Sequence, residues 1–254
     1  MPHARHWISL ACALSGLLLA GPLARAQGTA VSASIVVQPN SSAPASASPR
    51  KRSMSPADVV LWLTPLASGA VSSNDAHRLT DPRHPGPFRL VQKDKQFHPH
   101  LLVVPTGSNV EFPNKDPFFH NVFSLFNGER FDLGMYESGT TRSVRFDRDG
   151  VSYIFCNIHP EMGAVVLSLS TPFYAISGAD GAITVRGVPP GSYRLHVWSE
   201  TAEAIDPASA QRVVRVSSEP LHLGQIVLRT ATDPTAHHKN KFGDDYLPTR
   251  EPPY

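Results

Sequence analysis

Proline and glycine punctuate this chain so often that a long helix has no room to form. The sequence holds 24 prolines and 17 glycines in 254 residues. No stretch carries apolar residues at the 3.6-residue period of an amphipathic helix. The segments between the breakers are short and alternating, the pattern of strands joined by tight turns. An all-β chain is therefore expected. With 41% hydrophobic and 17% charged residues it can bury a core, and its length suits one large domain or two small ones.

Residues 30–38 (AVSASIVVQ) and 58–66 (DVVLWLTPL) read as strands. The Pro/Ser/Ala-rich stretch 39–57 between them, with Arg50, Lys51 and Arg52, reads as a solvated linker. N-terminal strands and linker together occupy 27–66, and a polar loop fills 67–87. From 88 to 171 strand-like runs follow closely, broken by the turns PTGS and DRDG, and form an antiparallel sandwich. In VSYIFC, Val151, Tyr153 and Phe155 share one strand face, and Ser152, Ile154 and Cys156 the other. Residues 172–230 repeat the strand-and-turn pattern with GADG and VPPG, where Tyr193, Leu195 and Val197 alternate with Arg194, His196 and Trp198. Residues 231–254 are polar and are expected to be disordered.

The first 26 residues read as an export signal, with Arg5, the apolar core WISLACALSGLLLA and a small-x-small site at Ala24, Arg25 and Ala26. That core is shorter than the ~20 residues of a membrane span, and no later segment is apolar enough to cross. The expected location is the periplasm or the exterior. Cleavage near Ala26 removes Cys12 and two arginines, which leaves 21 basic and 21 acidic residues. Such a balance gives no electrostatic footprint for nucleic acid. It also leaves Cys156 alone in a compartment where paired cysteines form disulfides, so the thiol needs another use.

Cys156 opens the pattern C-x2-H-x2-M with His159 and Met162, on one tight loop after a strand. Upstream, DPFFHNVFS places His120 and Asn121 at the start of another strand. One thiolate, two imidazoles and a thioether match a trigonal copper site with a long axial methionine bond. Thiolate is soft and binds Cu(I) tightly, imidazole suits both oxidation states, and a weak thioether helps to set the potential. Other readings of the same residues are half of a zinc site, which lacks its second cysteine; a nucleophilic cysteine with His120 or His159 as base; and an inert buried thiol. Met135 rivals Met162 by type only. Glu161 offers an oxygen from within the loop. His98 and His100 in FHPH are candidates for a second metal or for plain surface histidines. His237 and His238 receive no role.

These residues resemble the cupredoxins, the blue copper proteins. HNV and C-x2-H look like plastocyanin, and the short C-x2-H-x2-M loop with proline after its histidine looks most like amicyanin. The resemblance covers about 88–170 and implies a Greek-key β-sandwich holding one type 1 copper, with His120, Cys156, His159 and Met162 as ligands. By the same resemblance Asn121 steadies the ligand loop, and His159 is the solvent-side port for electrons. Over 30–228 the chain is similar to periplasmic proteins labelled methylamine utilisation proteins. In these a cupredoxin is joined to a small carboxypeptidase regulatory-like, transthyretin-like β-sandwich, and SGADGAITVRGVPPGSYRLHVW carries that module's texture. Strands 30–38 and 58–66 complete it.

The function this implies is a non-enzymatic carrier of single electrons between redox proteins, a cytochrome or a dehydrogenase, with Pro160 and Ala164 in a docking patch. Two alternatives use the same chain differently. One is copper storage, delivery or sensing; the other is a scaffold whose second sandwich contacts glycan or protein through Trp198 or Tyr193.

Overall fold

The structure is a computed structural model that describes residues 28–40, 55–66, 87–125, 127–235 and 238–246. The expected export signal, most of the linker and loop, Arg50 to Arg52 and His237 lie outside the described residues. Among the described residues the fold is nearly all β: seventeen strands and one four-residue helical turn, Pro207–Ala210.

Two sandwiches stack face to face. In the first, β5 (Leu101–Pro105), β11 (Gly163–Leu169), β10 (Gly150–Phe155), β7 (His120–Ser124) and β8 (Phe131–Tyr136) form a five-stranded sheet in that order. It is covered by two pairs, β3 (Val91–Lys93) with β4 (Gln96–His98) and β6 (Ser108–Pro113) with β9 (Thr141–Phe146). Single bridges, Arg89 to Glu111 and Gln92 to Asn114, tie the two pairs together. Leu102, Val104, Val110, Phe112, Phe146, Ile154 and Val166 fill the space between the layers.

In the second sandwich β12 (Tyr174–Ile176), β2 (Val60–Pro65), β14 (Gly191–Trp198) and β16 (Gln211–Val216) form one sheet. The other runs β13 (Ala182–Val188), β1 (Thr29–Gln38), β17 (Leu221–Thr230) and β15 (Ala202–Ala204). The early strands are thus central: β1 lies between β13 and β17, and β2 between β12 and β14. Val31, Ile35, Leu61, Leu63, Tyr193, Leu195 and Ile226 make this core.

A third apolar layer joins the sandwiches. Leu101, Val103, Val165, Leu167 and Leu169 meet Val60, Trp62, Tyr174, Ile176 and Trp198. The period-2 alternation of β11 explains how: Ala164 and Val166 face the first core, while Val165, Leu167 and Leu169 face the seam. A strand buried on both faces needs apolar side chains on both, and GAVVLSL supplies them. Burying a leucine such as Leu167 stabilises by about 1.5–3 kcal/mol. The seam takes Trp198, and Tyr193 is in the core, so neither candidate glycan contact stands on an open face. His196 is stacked on Trp62 at 4.8 Å.

Candidate metal centre

The centre is assembled from strand β7 and the loop that follows β10. His120 is the first residue of β7, and all five residues of that strand are buried. On β10, Ile154 points into the first core and Cys156 continues on the same face, as the alternation of VSYIFC requires. The loop closes on itself: Cys156 N–H donates to the Met162 carbonyl at 3.1 Å, and Met162 N–H to the His159 carbonyl at 3.1 Å. Seven residues, 156–162, therefore return the chain to β11, with three of the four sulfur and nitrogen candidates held on one short turn.

The donor atoms converge. Cys156 Sγ lies 3.6 Å from His120 Nδ1 and 3.5 Å from His159 Nδ1, and the two nitrogens are 3.1 Å apart. The centre of that triangle is about 2.0 Å from each corner, the length of a first-row metal's bond to imidazole and near the ~2.3 Å of a bond to thiolate. Among the described residues this is the group of His, Cys, Asp and Glu side chains close enough to hold an ion. Met162 is fully buried in the same apolar cluster as Cys156.

Asp116 is the residue that the sequence reading passed over. Its Oδ2 accepts from His120 Nε2 at 2.7 Å, with both side chains buried. The bond places the ring proton on Nε2 and leaves Nδ1 as a bare lone pair facing the centre. Asp116 also accepts the N–H groups of Asp94 at 2.6 Å and Lys95 at 3.0 Å. Those two residues form the β3–β4 turn with φ near +56° at both, a conformation that costs a non-glycine residue energy; the Asp116 carboxylate holds it in place. Asn114 in turn shapes the Asp116 loop, accepting from Asp116 N–H and donating to the Phe118 carbonyl. The Phe118 ring then rests against both imidazoles, 5.2 Å from His120 and 5.6 Å from His159.

Electrostatics keep the nitrogens ready. Burial pushes His120 below the ordinary imidazole range against the pull of Asp116. Burial, with His120 and Lys95 nearby, lowers His159 to about 4. Burial raises the Asp116 carboxyl, but the Lys95, His120 and Asp94 donors outweigh it and hold it below the usual carboxylate range. Burial raises the Cys156 thiol, although the N–H groups of Ile158, Asn121 and His159 oppose that shift. At neutral pH the site thus offers two neutral imidazoles and a buried thiol, a set that a soft first-row cation such as copper fits.

Other candidates fall elsewhere. Asn121 does not hold the ligand loop with its side chain: Nδ2 donates to Asp132 at 2.7 Å, and it is the Asn121 backbone that faces the Cys156 sulfur. Met135 is 48% exposed on β8, and Glu161 is exposed on the loop. His98 and His100 do not pair: His98 ends β4, while His100 bonds the Gly163 carbonyl at 3.1 Å and Glu200 at 2.6 Å across the seam. Ala164 is fully buried, so it cannot belong to a docking patch; exposed apolar side chains stand instead at Phe119 and Ile158, next in sequence to the two histidines.

The C-terminal segment also departs from expectation. Residues 238–246 are not loose but lie over the ligand loop. Tyr246 OH donates to the Cys156 carbonyl at 2.6 Å, Lys241 N–H donates to Asn157 at 2.9 Å, and Lys241 Nζ pairs with Asp132 at 2.7 Å. His238 stacks on Phe155 at 4.2 Å. Composition alone reads such a polar segment as solvated; its specific partners, 84 to 109 residues away, make it ordered.

The chain matches no protein-family model and no curated protein. Solved structures that resemble part of it include a purple cupredoxin from Nitrosopumilus maritimus, 22% identical over 32% of this chain and 99% of that one, with a TM-score of 0.30. A copper-containing nitrite reductase from Thermus scotoductus is 24% identical over 42% of this chain and 26% of its own, with a TM-score of 0.32. A reduced Cu(I) form of an amicyanin variant is 19% identical over 43% of this chain and 98% of that one, with a TM-score of 0.31.

Proposed function

We propose that the chain carries single electrons through one copper ion held by His120, Cys156 and His159, with Met162 as the weak fourth ligand. The observation that carries this reading is the donor triangle, whose centre lies about 2.0 Å from each atom. Copper supplies a one-electron couple between Cu(I) and Cu(II). The protein's part is to hold the donors still, because a site that need not rearrange exchanges an electron easily. Asp116 fixes the His120 tautomer, the Cys156–Met162 and Met162–His159 hydrogen bonds lock the loop, and Phe118 packs against both rings.

His120 is fully buried and His159 half-buried, so His159 is the side on which an electron enters or leaves. Phe119, 52% exposed, and Ile158 offer apolar contact to a redox protein there. The partner is a cytochrome or a dehydrogenase, and the setting is periplasmic or extracellular, in keeping with the export signal read in the sequence. Among the described residues no helix is long and apolar enough to cross a membrane. The reading is of a carrier and not an enzyme, because the polar side chains gathered here serve to hold the donors.

Copper titration followed in the visible tests it. One equivalent is expected to give an intense thiolate-to-copper band, and Cys156→Ser is expected to abolish the band and most binding. A complex loaded with Cu(II) that stays colourless under oxidising conditions would overturn the electron-carrier reading. Rapid loss of copper to a competing chelator would point to delivery instead.

A further inference from the structure

We propose that Tyr246 is a positioning residue of the metal centre, one that fixes the cysteine ligand from outside the sandwich that carries it. The inference rests on the copper reading above and assigns residues 238–246 a part in that centre. The ladder pairings of β10 end at Phe155, opposite Gly163 and Phe123. Cys156 thus leaves the sheet at the point where its sulfur has to be held still. Its N–H is tied within the loop to the Met162 carbonyl. Its carbonyl is tied by the Tyr246 hydroxyl, which donates to it at 2.6 Å from 90 residues away. A residue has only two soft backbone dihedrals. Anchoring both of its polar groups sets them, and with them the direction of the Cα–Cβ bond and the path of the chain toward His159.

The segment grips three consecutive residues. The His238 ring stacks on Phe155 with centroids 4.2 Å apart, Tyr246 takes the Cys156 carbonyl, and Lys241 N–H donates to the Asn157 side chain at 2.9 Å. Tyr246 is itself held in place. Its ring stands edge-on to His238 at 5.2 Å, and its oxygen lies 3.1 Å from His238 Nδ1. On the neighbouring strands, Lys241 Nζ pairs with Asp132 of β8, which accepts from Asn121 of β7, next in sequence to His120. The Lys241–Asp132 pair has side chains 25% and 35% exposed, and water screens such a pair. The Tyr246 hydroxyl instead meets the backbone of a fully buried residue, inside a network where each bond supports the next. It therefore carries the larger share of the hold on Cys156.

Tyr246→Phe removes the hydroxyl and keeps the ring against His238. In the full-length, copper-loaded variant the thiolate-to-copper band is expected to move from its position in the unaltered protein. Cu(I) is expected to pass to a competing chelator about fivefold faster, the value of one hydrogen bond. Asp244→Asn, an exposed position in the same segment, should leave both readings as they are. The copper-free chain gives an independent measurement. Hydrogen exchange at the Lys241 amide should be slow, because that N–H is given to Asn157, and should quicken in Tyr246→Phe. An unchanged band or an unchanged transfer rate in Tyr246→Phe would overturn the proposal, and so would an equal effect of Asp244→Asn. A Lys241 amide that exchanges as fast as a free peptide in the unaltered protein would overturn it too, so a variant that fails to fold leaves the test intact. If the unaltered protein gives no band, the copper reading fails, and amide exchange still decides whether the segment holds the loop. If the band forms and Tyr246→Phe leaves it in place, the positioning role alone fails.

Discussion

Asp116 shows how one carboxylate organises the centre without touching an ion. It fixes the lone pair of His120 and anchors a hairpin turn with two left-handed residues. Asp116→Asn keeps the shape but weakens both roles, and copper affinity measured by chelator competition is expected to fall about 10–100-fold, as for other groups that orient a ligand. Protonation gives a second prediction. Both imidazoles are depressed below 6.5, His159 to about 4, while the thiol is raised above 9.0. At pH 7.5 only the thiol has a proton to lose, so loading should release one proton per copper. Affinity should then rise about tenfold per pH unit between 6.5 and 8.5. Calorimetry in two buffers of different ionisation enthalpy counts the protons; zero or two would contradict the protonation described. The cluster of His120, Cys156 and His159 that the fold brings together was partly legible in the sequence, because Cys156 and His159 share one loop. Asp116 stands in plain view four residues before His120, but its role depends on the β3–β4 turn, which no local pattern reveals.

The strands were legible as elements because alternation and turn residues are local. The faces of β10 follow directly: Ile154 and Cys156 on the core side, Val151 and Tyr153 on the seam side. GADG is an equally readable turn, and its last residue shows why glycine is required. Gly181 has φ +74°, and a Cβ there would lie 2.3 Å from the Ile35 carbonyl oxygen. Gly181→Ala must therefore strain the backbone and push β1 from β13, at a cost of about 1–3 kcal/mol, read from the urea midpoint; an unchanged midpoint would refute this. The part of the C-terminal segment that makes contacts, 238–246, was not legible at this scale. Its order comes from Tyr246 on the Cys156 carbonyl and Lys241 on Asp132 and Asn157, single contacts too distant in sequence to be seen by composition.

For the molecule as a whole, the seam between the sandwiches matters most. Its apolar layer is supplemented at the edge by His100 and Glu200, 2.6 Å apart. The Glu200 hydrogen bond, against a burial that works the other way, raises His100 above 6.5. Because the folded pKa is raised, the pair's stabilisation is fully present below pH 6.5 and is lost as pH rises through the folded value. His100 is half exposed, so the effect is small. Glu200→Gln should flatten this part of the stability–pH profile in chemical denaturation. A profile unchanged from that of the parent protein would mean that the pair does not hold the seam. The imidazoles of the centre have the opposite sign: their depressed values take stability away as pH falls from 6.5 toward about 4.

By itself the amino-acid sequence determined the all-β character, the strand faces and the loop that carries a thiol, an imidazole and a thioether. These depend on backbone sterics and on periods of two to six residues, interactions that neighbours in sequence settle between themselves. Only the tertiary structure decided that His120 meets Cys156 across 36 residues, that β1 and β2 lie at the centre of the second sandwich, and that residues 238–246 close over the ligand loop. Such pairings are chosen by which apolar faces can be buried together and which polar groups then find partners. That choice is made by the folded chain as a whole.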